Sequence, residues 1–148
     1  NENQQEITLI PKNNFSLPQS IQLNMNDCPD ITQTVCATAA TLKIPFEISG
    51  LATLKIKETN RLSALQNELK KIGCETEITE NSIKSVLYTN PKKNISIATY
   101  GDHRMAMAFA PASFLVPGLR INDPAVVTKS YPHFWDDLKL AGFEITEQ

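Results

Sequence analysis

The sequence lacks the features that mark several specialised classes of protein. Its longest apolar runs fall well short of the roughly 18 residues that a membrane span requires. Its three cysteines form no C-x-x-C pair, which argues against a disulfide framework and favours a reduced, cytoplasmic setting. The formal net charge of −2 excludes bulk attraction to nucleic acid or to an acidic membrane surface. We therefore expect a globular protein whose cationic groups are concentrated locally.

The chain does have enough length and apolar content for a folded core. With 148 residues, of which 41% are hydrophobic and 20% charged, it has the composition of one ordinary globular domain. The first residues are polar and partly acidic, which is not the pattern of a signal peptide. Because the chain opens on Asn1 and not on Met, we expect it to be a piece of a longer protein.

Hydrophobic periodicity predicts strands and helices in alternation. Residues 21–25 alternate apolar and polar side chains, as a half-buried strand does. Residues 58–72 form the clearest predicted helix, because Leu62, Leu65 and Leu69 recur at spacings of three and four. The other predicted elements are strands at 6–11, 45–49, 75–79, 83–88, 95–99, 119–122 and 143–146 and helices at 31–42, 103–116 and 132–140.

The order of these elements repeats along the chain. Asp30 and Asp102 each precede the first helix of a half, and Lys57 and Lys129 each precede the second helix. The offset between the members of each pair is the same 72 residues. A period this long predicts duplicated α/β subdomains and not a solenoid. The predicted repeats are 20–88 and 95–147, within a single partial domain over 1–148.

Two polar segments stand at predicted helix starts. One is Lys57–Leu62 (KETNRL), and the other is Tyr100–Ala108 (YGDHRMAMA), whose polar residues are followed at once by an apolar helix. Backbone N–H groups at a helix start are unpaired and favour anions. Cationic side chains at two such starts predict a site for a phosphorylated or carboxylated small molecule.

Together these segments are similar to one family of enzymes. The carrying residues are Cys28–Asp30, Leu54–Leu62, Tyr100–Ala108, Asn122–Pro124 and Thr128–Pro132, in the family's order and spacing. The chain resembles the C-terminal part of the 5-enolpyruvylshikimate-3-phosphate (EPSP) synthases. These are the glyphosate-inhibited enzymes of the shikimate pathway, which leads to chorismate and the aromatic amino acids.

The resemblance implies an architecture and a reaction. The architecture is a set of repeated βαβαββ subdomains, inverse α/β-barrel-like, in two globular domains with the active site between them. This chain would supply about two of the three units of one domain, and an N-terminal remainder would supply the rest. The reaction transfers the enolpyruvyl group of phosphoenolpyruvate to the 5-hydroxyl of shikimate 3-phosphate and releases phosphate. The resemblance implies no cofactor and a monomeric intact enzyme, and we expect the isolated chain to be inactive.

Three residues are implied to take part in the chemistry. Asp30 aligns with the aspartate that contacts the reacting hydroxyl, although a plain helix N-cap would place an aspartate there as well. Glu58 aligns with a carboxylate implicated in proton transfer at the methylene. Lys57 aligns with a residue that contacts the bridging oxygen, although most lysines lie on the solvated surface. The sequence leaves open which of Lys57 and Glu58 donates each proton.

Other residues are implied to bind the anionic substrates. Arg61, Arg104 and Lys129 align with cations that bind phosphoenolpyruvate, and the planar fork of arginine suits a carboxylate. For Arg61 the alternative is an exposed helix arginine paired with a neighbouring acid. His103 is expected to bind and orient substrate, and is kept as a candidate catalytic group. Asp102 is expected to cap its helix and brace Arg104.

Several alternatives stay open. A related enolpyruvyl transferase acting on a UDP-linked amino sugar shares the fold, and a non-catalytic anion-binding α/β module shares the helix starts. Thr53 stands where the family often has a substrate-contacting Asn, so its contribution is open. A nucleic-acid-binding role is not expected, because Lys92 and Lys93 lack interleaved aromatics. No metal site is expected, because the two histidines lack ligand spacing.

Overall fold

The first half of the chain forms a mixed sheet with two helices. The computed structural model describes residue 10, residues 15–55 and residues 60–147. In the first half the strand order is β1-β2-β4-β3, with β1 parallel to β2 and β4 antiparallel to both of its neighbours. The elements are β1 (Ile21–Asn24), α1 (Thr32–Thr41), β2 (Phe46–Ser49), α2 (Arg61–Lys71), β3 (Cys74–Ile78) and β4 (Ser82–Tyr88).

The second half has the same first four elements in shorter form. Its two strands are parallel and only two residues long each. Within the part of the chain that the structure describes, no helix has the length and apolar character needed to cross a bilayer. The elements are β5 (Ser96–Ile97), α3 (His103–Phe109), β6 (Arg120–Ile121) and α4 (Phe134–Leu140).

One hydrophobic core joins the two halves. Ile48 on β2 and Leu65 on α2 belong to the same buried cluster as Ile97, Met105 and Phe109 of the second half. Helix α1 is built largely of Ala and Thr, and these small side chains let it pack closely against α3. The shared core fixes the start of α3 relative to the starts of α1 and α2, where the candidate site lies.

Two helix starts differ from the sequence prediction. Helix α2 begins at Arg61 and not at Glu58, because Asn60 is its N-cap and accepts a hydrogen bond from the Ser63 N–H at 3.2 Å. Residues 29–31 form a 3-10 turn, and α1 then begins without a side-chain cap. The prediction that Asp30 caps this helix is therefore wrong, and its carboxylate is used elsewhere.

The end of the chain also departs from expectation. The helix predicted over 103–116 stops at Phe109, because Pro111 cannot donate the next backbone hydrogen bond, and residues 110–114 continue as a 3-10 turn. The strand predicted over 143–146 is absent from the described residues there. The strand predicted over 6–11 lies mostly outside the described residues, and Ile10 has no regular structure.

Candidate functional site

Three helix starts bring their charged side chains together. Asp30 lies in the 3-10 turn before α1, Arg61 is the first residue of α2, and Arg104 is the second residue of α3. One terminal nitrogen of Arg61 donates to Oδ1 of Asp30 at 3.2 Å, and one of Arg104 donates to Oδ2 at 3.2 Å. The Asp30 carboxylate thus bridges two guanidinium groups through different oxygens.

Asp102 completes this group, which we call the arginine–aspartate cluster (Asp30, Arg61, Asp102 and Arg104). Its Oδ1 accepts a hydrogen bond from the Arg104 backbone N–H at 2.9 Å, so Asp102 caps α3 as predicted. Its Oδ2 lies 2.9 Å from Nε of Arg61 but has no aligned hydrogen bond, so this contact is an ion pair only. Asp102 holds Arg104 through the backbone alone, and the guanidinium that it neutralises is that of Arg61.

The cluster has a buried side and an open side. The side chains of Asp102 and Arg61 are 7% and 13% exposed, whereas those of Arg104 and Asp30 are 29% and 43% exposed. Both arginines keep N–H donors that no described residue uses. Two cations and two anions balance formally, so these four side chains alone form a recognition surface and not a strongly positive site.

His103 lies beside Asp102 at the start of α3, and Lys129 follows a turn that packs against the same helix. Nδ1 of His103 is 3.8 Å from Oδ1 of Asp102, which is too long for a hydrogen bond. Lys129 is exposed and follows a 3-10 turn that packs against α3, where Val127 and Ala106 share a small core. Lys129 forms no ion pair with another described residue.

Two of the predicted catalytic residues lie outside the described part of the chain. Lys57 and Glu58 belong to residues 56–59, between Lys55 and Asn60. Asn60, the N-cap of α2, follows this segment in the chain and directly precedes Arg61. Thr53 is exposed in a 3-10 turn just before it.

Comparison with known proteins decides the family. The family model described as EPSP synthase (3-phosphoshikimate 1-carboxyvinyltransferase) matches residues 2–138. The chain belongs to this family. The resemblance inferred from the motifs is thereby confirmed.

Named relatives give the same result. A 3-phosphoshikimate 1-carboxyvinyltransferase of Bacteroides fragilis is 45% identical over 136 residues, which is 90% of this chain and 33% of the relative. One of Methanospirillum hungatei is 37% identical, over 90% of this chain and 31% of the relative. The Arabidopsis thaliana protein of that name, called chloroplastic, is 37% identical over 93% of this chain and 27% of its own length. The chain therefore spans about a third of the length of the curated relatives it matches.

In this EPSP synthase family chain, sequence reasoning missed a buried carboxylate, that of Glu68. Glu68 on α2 is 0% exposed and accepts hydrogen bonds from Lys71, from the Ala98 N–H and from the Tyr100 hydroxyl. A glutamate inside an amphipathic helix usually faces solvent. Helical periodicity could have indicated its burial, because Glu68 follows Leu65 by three residues and therefore lies on the apolar face of α2.

The described residues also form a cavity that the arginine–aspartate cluster does not line. This cavity of about 500 Å³ lies at the opposite end of α2 and is lined partly by Lys70, Lys71, Lys92 and Lys93. None of the predicted site residues lines it. The cluster is a better candidate site than this cavity, because it brings together charged side chains from three helix starts that form ion pairs with one another.

Proposed function

We propose that this chain supplies part of the active site of an enzyme that transfers the enolpyruvyl group of phosphoenolpyruvate to the 5-hydroxyl of shikimate 3-phosphate. The observation that carries the proposal is the convergence of Arg61 and Arg104 on Asp30 at the open side of the cluster. Family membership supplies the reaction, which is the one named in the relatives. The chain matches only about a third of the length of those relatives. Catalysis would therefore require the remaining two thirds of the enzyme.

The two arginines and Lys129 would bind phosphoenolpyruvate. Arg61 and Arg104 already share one carboxylate, that of Asp30, in the geometry that a substrate carboxylate or phosphate would use. The N–H groups that no described residue uses can donate to the ligand without breaking these bonds. Lys129 would add a point charge, which the balanced cluster lacks.

Asp30 would orient the reacting hydroxyl. Its carboxylate is held by two guanidinium groups yet remains 43% exposed, so the hydroxyl of the acceptor substrate can approach it from solvent. A fixed carboxylate can align a hydroxyl or take its proton during addition. Lys57, Glu58 and His103 would serve the other proton transfers, at the methylene and at the bridging oxygen, with the division between Lys57 and Glu58 left open.

The wider architecture is also part of the proposal. The element order β1-α1-β2-α2-β3-β4 supports a βαβαββ unit, and β5-α3-β6-α4 supports the start of a second unit. We infer duplicated subdomains of an inverse α/β-barrel-like domain, with a third unit and a second domain in the remainder of the enzyme. A reducing, cytoplasmic compartment fits the free cysteines at positions 28, 36 and 74. A monomeric enzyme without a cofactor is what the family resemblance implies.

The test supplies the remainder of the enzyme. We would build a full-length chimera in which this chain replaces the matching third of the Bacteroides fragilis relative, and measure phosphate release from phosphoenolpyruvate. Release that requires shikimate 3-phosphate is expected from the chimera and not from the isolated chain. A UDP-linked amino sugar serves as the competing acceptor.

The control is the unmodified relative under identical conditions. Release with the UDP-linked amino sugar alone would favour the other enolpyruvyl transferase. Ligand binding by a folded chimera without any phosphate release would favour a non-catalytic anion-binding module.

A further inference from the structure

The segment that carries Asp102, His103 and Arg104 enters α3 through a strained turn. Tyr100 has φ +55° and Gly101 has φ +69°. A left-handed backbone is unfavourable for a tyrosine, so tertiary contacts must hold it. The turn also contains one local bond, from the Asp102 N–H to the Thr99 carbonyl at 2.9 Å.

Helix α2 contacts this segment through two of its residues, which lie two helical turns apart. Arg61 contacts Asp102 at one point. Seven residues later on nearly the same face, Glu68 accepts from the Ala98 N–H at 3.1 Å and from the Tyr100 hydroxyl at 2.9 Å. The strained turn therefore lies between two contacts to one rigid helix.

The Glu68 carboxylate is itself held in place by three hydrogen-bond donors. Lys71 donates to its Oε2 at 2.7 Å and also to the Ser96 carbonyl at 2.9 Å, which ties the same helix to β5. A fully buried carboxylate is costly unless such donors surround it. Burial together with the hydrogen bond and negative charge of Glu68 raises the pKa of Tyr100, so the phenol stays a donor at neutral pH.

We propose that Glu68 is a positioning residue that sets the Tyr100–Gly101 turn and thereby aims Arg104 and the Asp102 cap at the candidate site. The proposal rests on the proposed function, since the kinetic effect presupposes enolpyruvyl transfer. Glu68 acts through this segment and is not itself expected to touch substrate.

The kinetic test compares three variants in the full-length chimera. Glu68→Gln keeps the side-chain size but cannot accept from all three donors, and Tyr100→Phe removes one hydroxyl. The matched control is Tyr88→Phe, which loses one tyrosine hydroxyl hydrogen bond, to the Ile44 carbonyl at 2.7 Å, and contacts neither Glu68 nor the Tyr100–Gly101 turn through that hydroxyl. We expect KM for phosphoenolpyruvate to rise about tenfold to a hundredfold in Glu68→Gln and less in Tyr100→Phe. KM for shikimate 3-phosphate should change little, and Tyr88→Phe should have unaltered kinetics.

A second readout needs no activity. Backbone hydrogen exchange on this chain should become faster at Ala98 and Asp102 in Glu68→Gln and Tyr100→Phe, while Tyr88→Phe leaves these amides unchanged. Faster exchange with altered KM supports the proposal. Lower stability with unchanged exchange in this segment and unchanged KM overturns it. If the chimera with the native chain releases no phosphate, the proposed function fails, and the exchange data alone decide whether Glu68 sets the turn.

Discussion

Asp30 and Asp102 occupy matching places in the two halves and have different surroundings. Each stands just before the first helix of its half, 72 residues apart. Asp102 is 7% exposed, caps α3 and pairs with Arg61. Asp30 is 43% exposed, does not cap α1 and bridges two arginines.

The difference shows that equivalent positions in two repeated halves can have different roles. Burial and a cap make Asp102 part of the structure that holds the site. Exposure makes Asp30 reachable by a ligand while its arginine partners keep it in place. The local cause is backbone geometry, because a 3-10 turn comes before α1 whereas Asp102 is the direct N-cap of α3.

The largest effect we predict is on catalysis by Asp30→Asn in the full-length chimera. Loss of the carboxylate should lower kcat about 100-fold or more, in the range of positioned acid–base groups. The free energy of unfolding of this chain should fall by less than about 1 kcal/mol, because Asp30 is partly exposed and the asparagine oxygen can still accept a hydrogen bond from an arginine. Steady-state phosphate release and urea denaturation measure the two quantities. A near-native kcat would show that Asp30 is no more than an ion-pair partner.

The next effect is on stability at Asp102. Asp102→Ala removes the cap and leaves Arg61 with one carboxylate fewer, which should cost about 2–4 kcal/mol in urea denaturation of this chain. Asp102→Asn should cost less, because its amide oxygen can still cap α3. Equal costs for the two substitutions would mean that the cap contributes nothing and the charge contributes all.

A third substitution isolates capping without charge. Asn60→Ala removes only the acceptor for the Ser63 N–H, so it should destabilise this chain by about 1 kcal/mol. Asn60→Asp retains a capping oxygen and is the matched control. A loss as large as that of Asp102→Ala would contradict the claim that the Arg61 ion pair adds to the cap.

The smallest predicted effect is the salt dependence of the coupling energies of two ion pairs, Asp30–Arg104 and Asp102–Arg61. A double-mutant cycle for Asp30 and Arg104 should give a coupling of about 0.5–1 kcal/mol that shrinks as salt rises to about 1 M. The coupling of Asp102 with Arg61 should persist, because both side chains are mostly buried. The same salt response in both cycles would remove the distinction between an open and a buried side of the cluster.

Much of this account was predictable from local sequence. The motif YGDHRMAMA predicts the start of α3, and leucine spacing predicts α2. The partnership of Asp30 with two arginines was not predictable, because they lie 31 and 74 residues away and only tertiary packing brings them together. The roles of Lys57, Glu58, His103 and Lys129 stay predictions.

Other errors have identifiable physical causes. The helix predicted over 103–116 includes Phe114, yet this residue is 81% exposed beyond the end of α3. Its ring centroid lies 6.2 Å from that of Phe143. The pattern continues past Pro111, but the helical backbone does not. Glu68 was missed because charge alone predicts exposure, whereas three converging donors make its burial possible.

The most direct test is an NMR titration of the chimera with phosphoenolpyruvate. If this chain carries nitrogen-15 arginine and the remainder is unlabelled, only Arg61, Arg104 and Arg120 contribute signals. We predict that the Nε–H resonances of Arg61 and Arg104 shift with saturation, while that of Arg120, exposed on β6, stays in place. Saturable binding that moves neither Arg61 nor Arg104 would contradict the claim that this cluster faces the substrate.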